Sequence, residues 1–325
     1  MSFPESQEIT LDPSPYNIGD EVAARNAYGK ALANLGSKSD RIVVLDADTK
    51  NSTMTCDFKG AHPARFIECY IAEQNMVGVG MGVAARKLIP FVNTFAAFHT
   101  RSFDFIRMAG ISGLNLKVVG SHCGVSIGED GSSQMGLEDL AMMRTIPGSV
   151  VLYPSDGNSA WAATQLVANH TGIGYIRNGR PICPVIYPNT EVFEIGKCKV
   201  VEQGEADKIT VIGGGITVHE AKKAAAELKG TIDIRVIDIF SVQPIDKEGL
   251  IRNAAETGNK ILTVEDHYGA GGIHEAVCSA LATEAIQVHG IYVTEIPHSG
   301  KPDELIHLHG LSGAKIAEKV REIFA

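Results

Sequence analysis

The stretch Arg65 to Arg86, RFIECYIAEQNMVGVGMGVAAR, runs an apolar strand into a helix and delivers one carboxylate, Glu73, to the helix start. A single acid at a strand-to-helix turn suits proton chemistry; it is equally an acid that the helix dipole favours in a first turn. The helix behind it contains Gly78, Gly80 and Gly82. Each glycine costs about 1 kcal/mol relative to alanine inside a helix. Gly78 and Gly82, four apart, share a face. Close approach by a second backbone, as at a subunit interface, would offset that cost.

Two further stretches carry candidate groups. In Thr94 to Arg107, TFAAFHTRSFDFIR, Phe95 and Phe98 lie three apart on one face. With Phe105 they could be ordinary core, since aromatic stripes usually bury themselves. Gly120 to Gln134, GSHCGVSIGEDGSSQ, follows a strand, and ligands gather at the carboxyl ends of parallel strands. Its His122, Glu129, Asp130 and Gln134 form a dense polar set, which a solvated loop would also provide. Asp130-Gly131 with Asn158 imitates a metal–diphosphate motif. However, Glu129 stands where a glycine is needed and no Asn-Asn pair follows, so it reads as coincidence. Gly213-Gly214-Gly215 imitates a dinucleotide turn but lacks the spaced third glycine.

The elements that must position these groups alternate along the chain. Expected strands are Ile42–Leu45, Phe66–Tyr70, Ile89–Val92, Lys117–Gly120, Val150–Tyr153 and Gly172–Ile176, with helices such as Gly136–Arg144 and Asn158–Ala168 between them. Short continuous apolar strands alternating with helices imply a parallel sheet covered on both faces. Three prolines in Pro181–Asn189 interrupt the pattern and read as a linker. Beyond them come strands Lys208–Ile212, Ile234–Ile239 and Lys260–Val264, and helices His219–Leu228, Gly272–Leu281 and Ala314–Phe324. The expected fold class is therefore α/β with two domains, each a mostly parallel sheet with helices on both faces. An extended segment covers 1–20, the first domain 21–185, the linker 186–191 and the second domain 192–325.

The 325 residues are 44% hydrophobic and 21% charged, enough for a core in each domain. A net charge of −9 argues against a general nucleic-acid or membrane-surface binder, while leaving room for a local cation cluster. No basic residue precedes Arg25, so no targeting signal is expected. The longest apolar run, Val77–Ala85, is too short for a bilayer. Six scattered cysteines without a CxxC pair read as the reduced thiols of a cytoplasmic protein.

From Tyr16 to Phe324 the chain resembles transketolase. The motifs are DADTKNST (Asp46–Thr53), FIECYIAEQNM (Phe66–Met76), TFAAFxTRxFDxIRMA (Thr94–Ala109), GSHCGVSIGEDGxSQM (Gly120–Met135), YPSDG (Tyr153–Gly157), IRxxRP (Ile176–Pro181), VEDHYxxGGIxEAV (Val264–Val277) and SGKP (Ser299–Pro302). The family enzyme has three α/β domains. The first holds the diphosphate of thiamine diphosphate with Mg2+ or Ca2+; this chain matches the pyrimidine-binding and C-terminal domains. The resemblance therefore implies the C-terminal subunit of a split transketolase. Its partner would be an N-terminal diphosphate-binding subunit that holds the metal, no metal ligands being expected in this chain. A homodimer of this chain within a heterotetramer is expected.

By the same resemblance, Glu73 hydrogen-bonds the aminopyrimidine ring and is catalytic, and Phe95 and Phe98 stack on that ring. Arg101 stands where some members have another aromatic. Arg25, Ser52, His122 and Arg177 are the implied grip on a sugar phosphate, with His122 also counted as catalytic. Asp130 is the implied reader of a substrate hydroxyl, and Gln134 replaces the histidine of many microbial relatives. The C-terminal domain is implied to be mainly structural. Alternatives are a split ketol-transferase for another anionic sugar, such as a sulfonate, or a non-catalytic regulatory subunit; Glu73 speaks against the latter.

Overall fold

The computed structural model of the chain describes residues 8–325. Of the lead-in expected over 1–20, residues 1–7 lie outside the described residues. Residues 8–16 run along the helix Gly157–Asn169. Ile9 N–H donates to Asn169 Oδ1 (2.9 Å), Leu11 N–H to Gln165 Oε1 (2.9 Å) and Trp161 Nε1–H to the Asp12 carbonyl (3.0 Å).

The first domain is built on a seven-stranded sheet. From edge to edge the strands are Ser241–Gln243, Val150–Leu152, Gly174–Arg177, Lys117–Ser121, Ile89–Phe95, Ile42–Asp46 and Phe66–Glu68. All pairings are parallel except that of Ser241–Gln243. Ile42–Asp46, Ile89–Phe95 and Lys117–Ser121 are buried at every position, as strands covered on both faces must be. The second domain has a five-stranded sheet ordered Gln287–Val293, Lys260–Tyr268, Ile209–Gly213, Ile234–Asp238 and Lys199–Glu202, the last antiparallel. Ser241–Gln243 comes from the second half of the chain yet joins the first sheet, so the two domains share a hydrogen-bonded seam. The α/β class and two-domain division expected from the alternation hold.

Several local expectations change. Part of the expected linker is a strand: Ile182–Pro184 pairs antiparallel with Glu21–Ala23. This two-stranded ribbon is all edge, which accommodates a proline that cannot donate. The helix expected from Gly136 begins at Asp139. Asn158, the false half of the diphosphate motif, is consumed by structure. Its Oδ1 accepts from Ser14 Oγ (2.5 Å) and its Nδ2 donates to the Tyr187 carbonyl (2.8 Å). The Gly213–Gly215 turn packs on the Tyr153 ring of the first domain, which leaves no cradle for a phosphate. In the helix Glu73–Ala85, Gly80 faces inward, where a Cβ would stand 2.7 Å from Val92 Cγ1. Gly82 faces open space, and a Cβ on Gly78 would stand 3.5 Å from the Phe105 ring.

Candidate active site

The candidate residues gather at the carboxyl ends of the central strands, where a parallel sheet leaves its crevice. Phe95 ends one strand and Ser121 ends the next, with His122 directly after it. The three rings form a continuous stack. Phe98 lies on Phe95 with centroids 5.0 Å apart and planes within 10°, and Phe95 lies on His122 at 3.8 Å and 8°. His122 sits at φ +57°, a left-handed conformation that histidine tolerates better than most residues. Its Nδ1 faces Ser121 Oγ at 2.9 Å, leaving Nε2 as the free ring nitrogen.

Around that ring stands a cation cluster. Arg25, in the helix Ala24–Lys38, donates from Nη1 to the Ser52 carbonyl at 2.9 Å. Ser52 is held over the crevice because the Asp46 carboxylate gathers its loop, accepting from Thr49 N–H (2.6 Å), Thr53 Oγ1 (2.7 Å) and Thr55 Oγ1 (2.8 Å). Arg180 donates from Nη1 to the Ile127 carbonyl (2.6 Å) and to Asp130 Oδ2 (3.4 Å). Burial, followed by the charges of Arg25 and Arg180, pushes the His122 pKa down to about 3, so the imidazole is neutral over the physiological range. Burial and then the charge of Arg180 lower the Arg25 pKa. Two guanidiniums and a neutral imidazole facing one space form an anion site by their chemistry.

Arg177 is not in that cluster. It is the last residue of its strand, so its side chain leaves perpendicular to the sheet and enters the layer beneath the helix Asp139–Arg144. It is fully buried. Nε donates to Asp139 Oδ2 (2.8 Å), Nη2 donates to the carbonyls of Gly136 and Asp266 (2.9 Å each), and the guanidinium lies 4.5 Å from the Tyr153 ring centre. Burial acts to raise the Asp139 pKa, but Arg177, together with His267 and the Tyr175 hydroxyl, outweighs it and keeps the carboxyl ionised. The phosphate role expected for Arg177 is therefore corrected: Arg180, three residues on and past the strand end, is the arginine beside Arg25. The signal was available in IRxxRP, where only the second arginine lies beyond the strand.

Glu73 is buried at the first position of its helix, and its side chain has no hydrogen-bond partner among the described residues. Arg101 is exposed on the first turn of the helix His99–Ile111. Asp130 is exposed beside Arg180, and the half-buried Gln134 makes no side-chain hydrogen bond among the described residues. Thus Arg25, Ser52, Phe95, Phe98, His122 and Asp130 share one crevice.

The arginine pair gives a sharp contrast. Arg177→Met strands the buried Asp139 carboxylate and should lower unfolding free energy by about 3–5 kcal/mol. Arg180→Ala, which loses a half-exposed pair and one hydrogen bond to the Ile127 carbonyl, should change it by less than about 2 kcal/mol. Denaturant titration of both variants checks this.

Buried histidines set the acid limit. Burial lowers the pKa of His99 and His267 to about 4 and that of His122 to about 3. Their folded pKa values lie below the unfolded value near 6.5, so below that pH the unfolded chain binds more protons. Stability is fully present above about 6.5 and lost as pH falls toward 4, at about 1.4 kcal/mol per pH unit for each histidine. Burial raises Glu265 to about 8 and Asp238 to about 6, and these acids favour the folded state as pH falls, so thermal midpoints should fall between pH 6 and pH 5 less steeply than the three histidines alone would require.

An aromatic stack and a cation cluster thus lie along the carboxyl edge of a parallel sheet that is joined to a second α/β domain. Residues 20–184 match the family model "Transketolase, pyrimidine binding domain" and residues 196–316 match "Transketolase, C-terminal domain". The chain is 55% identical to human transketolase over 310 residues, covering 94% of this chain and 50% of that protein. It is also 55% identical to mouse transketolase-like protein 2, covering 94% and 49%. A solved split-gene transketolase, described as an inactive β4 tetramer, is 37% identical with a TM-score of 0.84; the match covers 93% of this chain and 98% of that one. The chain belongs to the transketolase family, whose members depend on thiamine diphosphate and a divalent metal and transfer a two-carbon unit. It spans about half the length of the curated relatives it matches.

Proposed function

We propose that this chain is the C-terminal subunit of a split transketolase. Joined to a separate diphosphate-binding subunit, it would transfer a two-carbon ketol unit from a ketose phosphate to an aldose phosphate. The observation that carries this reading is the cluster of Arg25, Arg180 and His122 beside the Phe98–Phe95–His122 stack. The near end-to-end match to a split-gene relative supports the subunit assignment.

The residues present suit an aminopyrimidine: a buried carboxyl without a protein partner at Glu73 and a half-exposed ring at Phe98 closing the stack. Bound thiamine diphosphate, with Mg2+ or Ca2+ held by the partner, supplies the chemistry that cleaves the carbon–carbon bond next to the ketose carbonyl. In this reading Glu73 holds a proton toward the pyrimidine nitrogen. Phe98, at the free end of the stack with Phe95 behind it, orients the ring, stacking being worth about 0.5–1.5 kcal/mol beyond burial. Arg25 and Arg180 take the phosphate, Ser52 and neutral His122 add single donors, and Asp130 and Gln134 reach the substrate hydroxyls.

Self-association fits an exposed apolar face formed by Tyr70, Ile71, Val79, Met108 and Ile111, next to outward-facing Gly82. These exposed apolar side chains lie on or beside two packed helices, Glu73–Ala85 and His99–Ile111, a placement that suits an interface. We assign it to a second copy of this chain.

Kinetics of the assembled enzyme test the phosphate reading. Arg180→Ala should raise KM for a sugar phosphate roughly ten- to hundredfold, the loss of a charge-assisted pair, while leaving KM for glycolaldehyde nearly unchanged. An equal effect on both substrates would remove Arg180 from the phosphate site.

A further inference from the structure

The substrate loop Gly120–Gln134 belongs to the first domain but is shaped by the second. Asp266, in the strand Lys260–Tyr268, is fully buried. Its carboxylate is committed to that loop: Oδ1 accepts from Val125 N–H at 2.6 Å and Oδ2 from Ser126 N–H at 3.3 Å. Arg177 reaches only the Asp266 backbone carbonyl, so the carboxylate is left to the loop. Gly124 sits at φ +79°, and a Cβ there would overlap the Asp266 carboxylate. Gly128, at φ +83°, would place a Cβ 2.8 Å from the Pro302 ring. The loop is glycine-rich where the second domain presses on it.

The short turn Val125–Ile127 is thus held from both sides. Asp266 takes its first two N–H groups, while its last carbonyl, that of Ile127, accepts from Arg180 Nη1 at 2.6 Å. His122 lies three residues before the turn and Asp130 three residues after it. We propose that Asp266 is a positioning residue for substrate binding: it fixes the turn whose carbonyl aims Arg180, and with it the loop bearing His122 and Asp130. The proposal rests on the phosphate reading above and gives the second domain a part in it. A merely structural Asp266 would hold the domains together and leave substrate affinity alone.

The test uses the enzyme assembled with its diphosphate-binding subunit. Asp266→Ala should raise KM for a sugar phosphate roughly tenfold or more, the loss of backbone N–H hydrogen bonds to a buried carboxylate. KM for glycolaldehyde should change far less. Asp266→Asn, whose amide oxygen still accepts from Val125, should fall between Asp266→Ala and the unaltered enzyme. Because Asp266 acts through Arg180, Asp266→Ala added to Arg180→Ala should raise KM little further. Amide exchange at Val125 and Ser126 should quicken in both Asp266 variants. A sugar-phosphate KM within twofold of the unaltered enzyme, an equal loss on both substrates, or additive effects with Arg180→Ala would overturn the proposal. Should Asp266→Ala not fold, unchanged KM and exchange in Asp266→Asn would overturn it too. If Arg180→Ala itself leaves KM unaltered, the phosphate reading fails, and loop exchange alone then decides whether Asp266 fixes the turn.

Discussion

Glu73→Ala is expected to lower ketol transfer by the assembled enzyme about 10²–10⁴-fold, the range over which a positioned proton carrier acts. The fold should survive. Glu73 has no side-chain hydrogen bond to lose among the described residues, and its place in the first turn of its helix is worth about 0.3–1 kcal/mol through the dipole. Removing a buried carboxyl also relieves a desolvation cost, so the net change in unfolding free energy should stay within about 1 kcal/mol. Glu73→Gln sharpens the test, because the amide keeps the shape and can hydrogen-bond but cannot hold the transferable proton. Both variants should therefore lose kcat, while the sugar-phosphate KM, set at Arg25 and Arg180, stays near that of the unaltered enzyme. A Glu73→Ala enzyme running at close to full rate would remove this residue from the mechanism.

What could be read from the residues, and what could not, follows from the range of the forces involved. The central strands were legible because burial on both faces demands short continuous apolar runs such as Ile42–Leu45, alternating with longer helical stretches. The ring stack was half legible. Phe95 and Phe98 were visible as a pair, but the third ring, His122, joins it only through the neighbouring strand. Arg177 and Arg180 exchanged roles because chemistry alone cannot rank two arginines three residues apart; the strand's end does, by burying one and freeing the other. The seam Ser241–Gln243 and the grip of Asp266 on Val125 were invisible, since both join segments more than 80 residues apart with no local pattern. The second domain accordingly looked inert from its sequence, although it holds the loop on which the candidate site depends.

Purified alone, the 325-residue chain is expected to transfer no ketol group and to bind thiamine diphosphate only weakly. The diphosphate carries most of that molecule's charge, and its oxygens need a metal and a dedicated donor set. The one sequence feature imitating such a set fails here, because Asn158 is spent on Ser14 and Tyr187. Arg25, Arg180 and His122 form the anion site of this crevice, and our reading assigns them to the sugar phosphate. What remains for the cofactor is a ring stack and the Glu73 carboxyl, together worth a few kcal/mol before the entropy of association is deducted, which corresponds to millimolar affinity or weaker. The apolar face around Tyr70, Ile71 and Ile111 should meanwhile hold copies of the chain together, as a dimer to which two partner subunits add. Addition of the diphosphate-binding subunit with Mg2+ should then restore both tight cofactor binding and turnover, since the two halves of the cofactor would meet their two half-sites at once. Calorimetry with thiamine diphosphate and a coupled transfer assay, each run with and without the partner, measure this directly. Micromolar binding or measurable turnover by the lone chain would overturn the split-enzyme reading while leaving the family assignment and the Arg180 site untouched.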